Sequence, residues 1–233
     1  MPAAPIAALP SALSPSPGPV QSLPTTAAVR AQQALDALAN SSEGQQTARL
    51  AFKQLGDAGC SQLAAVLTAN RIATLDCSNN SIGSVGASTL GAALATNTSL
   101  SSLDISANAI GDAGCIALAN ALHNNASLKH LDLHACNLKD DAATALAACL
   151  RANKGLVVVN LKANYITDSG ATALAQAARG NTNMRCLVTA SNDITQRGQE
   201  ALALAFEDNP RLSDQLPRGD NDDLLREVGC SVS

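Results

Sequence analysis

A regular internal repeat is the feature that most constrains the fold of this chain of 233 residues. Five similar segments begin at Ile72, Leu100, Leu128, Leu156 and Met184, which gives a constant period of 28 residues. They open with IATLDCSNNSIG, LSSLDISANAIG, LKHLDLHACNLK, LVVVNLKANYIT and MRCLVTASNDIT. A period of this length indicates units that stack on one another, because a single unit cannot bury its own apolar face.

Each repeat combines a strand pattern with a helix pattern. The opening segments are apolar at positions 1, 4, 6 and 11 with few exceptions. The residues that follow are rich in Ala and Leu at three- and four-residue spacing, which predicts a helix with one apolar stripe. Position 9 is occupied in turn by Asn80, Asn108, Cys136, Asn164 and Asn192. We expect these Asn side chains to bond backbone groups in the turns of adjacent repeats, because buried polar groups find hydrogen-bond partners.

Polar side chains also mark both ends of the predicted helices. One repeat position just before the helices holds Asp57, Ser84, Asp112, Asp140 and Asp168. A side-chain oxygen at such a position accepts from the orphan N–H groups of a helix start, so each is predicted to be an N-cap. A second polar set recurs where the helices should end, at Asn97, Asn125, Asn153 and Asn181.

The pattern L-x-x-L-x-L-x-x-N/C followed by a helix resembles the leucine-rich repeat. The period of 28 residues is similar to that of the ribonuclease-inhibitor-like subclass, which is also found in NOD-like receptors, and Cys136 fits the Cys alternative of that subclass. The resemblance covers residues 45–211. It implies an α/β fold, a leucine-rich-repeat solenoid in the form of a horseshoe arc, with parallel strands on the concave face and α-helices on the convex face.

The repeat pattern divides the chain into four parts. Residues 1–24 are rich in Pro, Ala and Ser and are predicted to be a disordered tail. Residues 25–44 are predicted to form an N-terminal capping helix, and residues 212–233 a C-terminal cap and tail. Six repeats are expected between them, and Lys53 replaces the position-9 Asn in the first. Their bounds are 45–71, 72–99, 100–127, 128–155, 156–183 and 184–211.

Composition argues against several classes of partner. Aromatic residues make up 1% of the chain and the net charge is −4, which argues against a nucleic-acid partner. No apolar run approaches the ~18 residues that cross a bilayer, so neither a transmembrane segment nor a membrane partner is expected. We expect a monomer that binds a partner protein.

The seven cysteines and the N-terminal residues bear on localisation. The number of cysteines is odd and no C-x-x-C spacing occurs, so neither a disulfide framework nor a zinc site is predicted. Thiols suit a reducing compartment, and the N-terminal residues lack the pattern of a secretory signal peptide. The protein is expected to be cytoplasmic, or to reach a host cytoplasm by a route other than Sec.

The predicted concave face carries a column of acidic residues. Side chains alternate between the two faces of a strand, so position 5 of each repeat should lie on this face. That position holds Arg49, Asp76, Asp104, Asp132, Asn160 and Val188. The acidic column is either a docking stripe for a basic surface or a solvated face. The candidate partner-binding residues on this face are Asp76, Asp104, Asp132, His130, His134, Asn160, Lys162 and Tyr165.

One strand brings together residue types that serve in metal sites and in acid–base catalysis. His130, Asp132 and His134 alternate, so they should share a face. They should also spread along roughly 13 Å, so one ion would reach two of them at most. No phosphate loop, zinc-protease motif or nucleophile elbow occurs in the sequence. We therefore expect no catalytic residue, no metal site and no cofactor.

Two further resemblances bear on function. GATALA (Gly170 to Ala175) is similar to the motif of the GALA effectors, F-box-bearing leucine-rich-repeat proteins that plant-pathogenic bacteria inject through type III secretion. No F-box-like segment precedes these repeats. The repeat subclass is also that of Ran GTPase-activating proteins, but no matching Arg was found. The expected function is therefore non-catalytic protein binding, in the setting of a type III effector. The alternative is regulation of an enzyme, Ran-GTPase-activating-like or as a ubiquitin-ligase adaptor.

Overall fold

The computed structural model describes residues 26–40 and 46–214, in which strands and helices alternate. The strands are β1 (Gln46–Arg49), β2 (Ile72–Asp76), β3 (Ser102–Asp104), β4 (His130–Asp132), β5 (Val158–Asn160) and β6 (Cys186–Val188). The helices are α1 (Thr26–Asn40), α2 (Gly56–Thr68), α3 (Ser84–Leu94), α4 (Gly111–Leu122), α5 (Asp140–Ala152), α6 (Asp168–Gly180) and α7 (Gln196–Asp208). The predicted tail 1–24 and most of the predicted C-terminal cap lie outside the described residues.

The six strands form one parallel sheet in chain order. Each strand pairs with the next at an offset of one repeat, so that Asp76 lies opposite Asp104 and Asp104 opposite Asp132. Parallel neighbours need a long crossover connection, and the helix of each repeat provides it. The predicted α/β solenoid is therefore confirmed.

The apolar core lies between the sheet and the helices. Position-4 strand residues such as Leu103 and Leu131 share one buried cluster with helix residues such as Leu118 and Leu146. Burying each of these side chains contributes roughly 1.5–3 kcal/mol, and stacking the repeats removes all of them from water. The opposite face of the sheet, which carries positions 3, 5 and 7 of each repeat, is called the open face below. It corresponds to the predicted concave face.

The position-9 Asn residues link adjacent repeats as predicted. The Oδ1 atom of Asn108 accepts from the backbone N–H groups of Asn80 and Ile82 at 2.9 and 3.0 Å. Its Nδ2 atom donates to the carbonyls of Cys77, Ile105 and Ser106. Equivalent bonds are made by Asn80, Asn164 and Asn192. Each amide therefore satisfies buried backbone groups in two repeats at once.

The prediction that the recurrent acidic residues cap their own helices is wrong. The Oδ1 atom of Asp140 accepts from the N–H groups of Thr167 and Gly170 at 2.8 and 3.1 Å, which belong to the start of the helix one repeat later. Asp57 and Asp168 bond the next repeat in the same way. Stacked helices place each carboxylate beside the N-terminus of its neighbour, where the orphan N–H groups point.

The second of these capping bonds, to an N–H inside the receiving helix, occurs where that residue is glycine. A Cβ atom on Gly170 would lie 2.6 Å from the Oδ1 atom of Asp140 and 2.7 Å from the Cγ2 atom of Ile166. The equivalent residue one repeat earlier is Ala142, and there Asp112 accepts from the N–H of Lys139 at 2.7 Å. The recurrent glycines thus serve the close contact between a carboxylate and a helix start.

A second ladder of Asn residues joins the helix ends. The Nδ2 atom of Asn153 donates to the carbonyls of Leu122 and Asn125 in the preceding repeat, at 2.6 and 2.8 Å. Its Oδ1 atom accepts from the N–H groups of Gly155 and Leu156. Asn97, Asn125, Asn181 and Asn209 make similar bonds. The sequence located four of these residues, and the structure adds Asn209 and the bonding role.

Candidate partner-binding surface

The position-5 side chains form one row across the open face. The strand register aligns Arg49, Asp76, Asp104, Asp132, Asn160 and Val188 in that order. We call Asp76, Asp104 and Asp132 the acidic row. Neighbouring strands are about 4.8 Å apart, so three carboxylates follow one another at close to that spacing. The predicted column of candidate residues is therefore present on adjacent strands.

Each carboxylate of the acidic row also bonds the turn that follows its own strand. The Oδ1 atom of Asp76 accepts from the N–H and the hydroxyl of Ser78 at 3.0 and 2.7 Å. Asp104 accepts from the N–H of Ser106 at 2.8 Å, and Asp132 from that of His134 at 2.9 Å. Asp side chains favour such contacts two residues ahead. Sequence analysis missed this structural role, although the Asp-x-Ser spacing is its signal.

The middle of the acidic row is electrostatically crowded. The pKa of the Asp104 carboxyl is raised, first by partial burial and then by the charges of Asp132 and Asp76, against the opposing bonds from Ser106. Burial and like charges both disfavour the ionised form of a carboxyl. A cationic group bound between these carboxylates would offset the repulsion among them.

The two histidines of β4 occupy different environments. His130 lies on the open face with 8% of its surface exposed, and within the described part of the chain its Nε2 atom makes no hydrogen bond. Burial lowers the pKa of its imidazole to about 4, so the ring is neutral at neutral pH. His134 is half-buried. The structure thus differs from the expectation that both rings are available to a partner, because neighbouring side chains enclose His130.

The remaining predicted residues continue the face towards the later repeats. Asn160 is 5% exposed, donates to the Oδ2 atom of Asp132 at 2.9 Å and accepts from the N–H of Lys162 at 3.1 Å. Lys162 is exposed. Tyr165 is 53% exposed and lies in the turn before α6, away from the position-5 row. The structure therefore brings Asn160 and Lys162 to the end of the acidic row and leaves Tyr165 on the adjacent rim.

The rim carries one large apolar side chain that sequence analysis missed. Phe52 is 73% exposed and has a φ of 57°. A bulky residue rarely adopts this left-handed conformation. Every repeat uses the conformation at this position, where the other residues are Asn79, Ala107, Ala135, Ala163 and Ser191. The contrast between Phe52 and these small or polar residues is the signal in the sequence.

The described residues also bear on metal binding and on membrane insertion. Among residues 26–40 and 46–214, no group of three or more His, Cys, Asp or Glu side chains is placed to hold a metal ion. Across the same residues, no helix has both the length and the apolar character needed to span a bilayer. His130, Asp132 and His134 therefore do not form such a metal-binding group.

The match to a protein-family model agrees with the repeat architecture. A family model described as Leucine Rich repeat matches residues 96–119, 124–147 and 152–175. No curated protein matches the chain in sequence. Two similar solved structures, each with a TM-score of 0.46, are leiomodin-1 actin-binding site 2 and the tropomodulin C-terminal domain of Caenorhabditis elegans. The first is 12% identical over 81% of this chain and 91% of that chain, and the second is 10% identical over 85% and 98%. The chain therefore contains leucine-rich repeats, three of which lie within residues 96–175, in an α/β solenoid.

Proposed function

We propose that this protein is a non-catalytic interaction module, a monomer whose open face binds a basic segment of a partner protein along the acidic row. The observation that carries the proposal is the in-register placement of Asp76, Asp104 and Asp132 on three adjacent strands. Like charges directly opposite one another destabilise a sheet. A cationic partner offsets this cost, which supports a role for the charges outside the fold itself.

The comparison with Asn160 separates the structural role of position 5 from its charge. Asn160 accepts from the N–H two residues ahead, as the three Asp residues do, and it carries no charge. An amide therefore serves the turn as well as a carboxylate does. The three negative charges are not needed for the turns, which supports their assignment to partner binding.

The residues around the acidic row limit where the basic segment of the partner can lie on the open face. Lys162 is exposed just beyond the row, so the basic part of the partner is expected to lie over β2 to β4 and to end before β5. His134 is half-buried beside the acidic row, and Tyr165 is exposed in the turn before α6, so they are expected to offer polar and aromatic contacts to the partner. Exposed Tyr is enriched at interfaces because it joins an apolar ring to a polar hydroxyl.

A pair of charge-removing substitutions tests the proposal. Asp76→Asn with Asp104→Asn keeps each Oδ1 acceptor and removes two charges. The control, Asp193→Asn with Glu207→Gln, removes two charges from exposed sites elsewhere. Affinity capture from plant or animal lysates should recover a partner with the wild type and with the control, and lose it with the open-face variant. Equal recovery by all three proteins would contradict the proposal.

Added salt gives the capture experiment an independent readout. If carboxylates recognise cationic side chains, retention of the captured partner should fall as ionic strength rises, because exposed charges are screened over about 10 Å at 0.1 M salt. If the partner is a GTPase or a component of a ubiquitin ligase, its turnover should be measured at saturating concentrations of this protein. A change in turnover would favour the alternative function, regulation of an enzyme, over simple binding.

The N-terminal sequence bears on the cellular setting. We propose a type III effector that acts in a host cytoplasm, because the first charged side chain of the sequence is Arg30 and residues 1–24 are rich in Pro, Ala and Ser. Fusion of residues 1–30 to a reporter tests this setting. Export that depends on a type III apparatus is expected, and retention in the bacterium would contradict it while leaving the binding proposal intact.

A further inference from the structure

Four basic side chains gather at the edge of the sheet where the strands begin. Lys129, Lys154 and Arg185 lie in the α4–β4, α5–β5 and α6–β6 connections, and Arg211 lies in the residues that follow α7. We call these four residues the basic edge. The four connections contain one acidic residue, Asp214, so their net side-chain charge is 4 − 1 = +3, whereas the whole chain carries −4. Positive charge is therefore concentrated at this edge.

Backbone hydrogen bonds place the basic edge on adjacent strands. The N–H of Val157 donates to the carbonyl of Lys129, and the N–H of Arg185 donates to the carbonyl of Val157, both at 2.8 Å. The N–H of Ser213 donates to the carbonyl of Arg185 at 2.8 Å, and Arg211 lies two residues before Ser213. Neighbouring strands are about 4.8 Å apart, so the backbones of Lys129 and Arg185 lie about 10 Å from each other. The long side chains of this edge therefore reach one ligand together.

The turn that carries Lys154 packs directly on the turn that precedes β4. A Cβ atom on Gly155 would lie 2.9 Å from the backbone of Ala126, which shows how closely the two turns approach. The carbonyl of Ala126 also accepts from the Nζ atom of Lys129 at 2.8 Å. Lys129 and Lys154 are therefore neighbours across this contact.

The charges of the basic edge are not balanced within the described part of the fold. Lys154, Arg185 and Arg211 are exposed, and no carboxylate in residues 26–40 and 46–214 lies within ion-pair distance of a basic-edge side chain. Arg179, in the last turn of α6, differs because it pairs with Asp208 at 2.6 Å and lies at the negative end of the helix dipole. The basic edge lies outside the helices. Repulsion among its charges is a cost that an anionic ligand offsets.

Two features favour an acidic peptide over other anionic ligands. Val157 lies between Lys129 and Arg185 in the series of backbone bonds and is half-buried, so the three strands present a cation, an apolar side chain and a second cation. The net charge of −4 opposes an extended polyanion such as nucleic acid, because most of its length would lie beyond this edge. A short acidic segment interacts only with the local charge.

We propose that the basic edge is a second docking surface, which binds an acidic segment of a partner protein that carries an apolar residue between its carboxylates. None of its residues belongs to the acidic row, so this proposal does not rest on the proposed function. With both surfaces occupied, one molecule joins a basic segment on the open face to an acidic segment at the strand-start edge.

Fluorescence anisotropy with a labelled peptide of sequence GEEVEEG tests the proposal on the full-length chain. The wild type should bind this peptide, and Lys154→Gln with Arg185→Gln should weaken binding at least about fivefold, because two exposed charge contacts are lost. The matched control is Lys139→Gln with Arg197→Gln, which removes two exposed cations at the opposite edge. It should leave the affinity within about twofold of the wild type. No binding by the wild type, or equal losses in the two variants, would overturn the proposal.

Three further measurements separate the possible occupants. The peptide GEESEEG should bind at least about threefold more weakly than GEEVEEG, because it lacks the apolar contact with Val157; equal affinity would overturn the proposal. A short oligothymidylate is the nucleic-acid probe, and tighter binding of it than of the peptide would overturn the peptide assignment. Sedimentation of the wild type should show no self-association. Self-association that Lys154→Gln with Arg185→Gln abolishes would assign the edge to a second copy and overturn the proposal.

Discussion

The position-9 ladder gives the sharpest prediction about stability, at Asn108. Asn108→Ala removes the Oδ1 acceptor of the Asn80 and Ile82 N–H groups, and both of these residues are fully buried. A buried polar group left without a partner costs about 1–3 kcal/mol, so the two N–H groups cost about 4 kcal/mol together. The carbonyls that lose the Nδ2 donor matter less, since that of Ser106 also accepts from the N–H of Asn79.

The chain contains its own control for this substitution. Cys136 occupies the same position one repeat later, and its Sγ atom makes only long contacts to the carbonyls of Ile105 and His134, at 3.4 and 3.6 Å. Cys136→Ala should therefore cost about 1 kcal/mol, which is the value of one buried heavy atom. The N–H of Ile110 bonds the carbonyl of Asn108 at 2.9 Å, so the turn there does not depend on a position-9 amide.

Urea unfolding followed by far-ultraviolet circular dichroism measures both variants, and hydrogen exchange locates the loss. Asn108→Ala should lower the unfolding free energy several-fold more than Cys136→Ala, with the largest gain in exchange at the amides of Asn80 and Ile82. Equal losses of unfolding free energy for the two substitutions would refute the reasoning. They would mean that the hydrogen bonds of the Asn108 amide add nothing to the stability gained by burying its atoms.

Three other outcomes follow from the contacts described above. Asp104→Asn should raise the unfolding free energy at neutral pH by about 0.5–1 kcal/mol, because the amide still accepts from Ser106 and like-charge repulsion is removed; a loss on urea unfolding would contradict this. Gly170→Ala should cost about 2–3 kcal/mol by crowding Asp140, and an unchanged melting temperature would contradict it. Burial tends to raise the pKa of Asp140, but bonds from Thr167 and Gly170 hold it below 3.8. The stability it adds is complete above pH 3.8 and disappears as the pH falls through the lowered value, so Asp140→Asn should lose less stability on acidification.

The repeat pattern predicted the architecture because the apolar spacing of the strand and the helix can be read within each repeat, and its recurrence can be read along the chain. Apolar spacing located the strands, and the recurrence of Asn108 and its equivalents predicted a bond across repeats, which the structure confirms. The destination of the Asp140 carboxylate was not predictable, because it depends on how far apart neighbouring helices stack. The burial of His130 also depends on how neighbouring repeats pack, so it could not be predicted from the sequence pattern around this residue.

The candidate partner-binding surface was predictable from the sequence only as a row of residues on one face of the sheet. Alternation placed Asp76, Asp104 and Asp132 on one face, and the strand register agrees. Their bonds to the following turns were missed, because a side chain that folds back onto its own backbone leaves the periodicity unchanged. The left-handed conformation of Phe52 was missed because the residue type argues against it.

The hydrogen bonds between repeats run in two opposite directions along the chain. Carboxylates such as that of Asp140 reach forward to the next helix, whereas amides such as that of Asn108 reach back to the preceding turn. Where a repeat carries both the Asp and the Asn, its boundaries are crossed by both kinds of bond, whereas Ser84 and Cys136 each replace one of them. Lengthening such a chain by gene duplication favours the addition of whole repeats, since a unit with both contacts satisfies groups in both of its neighbours. A new repeat that carries both contacts would therefore extend the sheet and its open face by one strand.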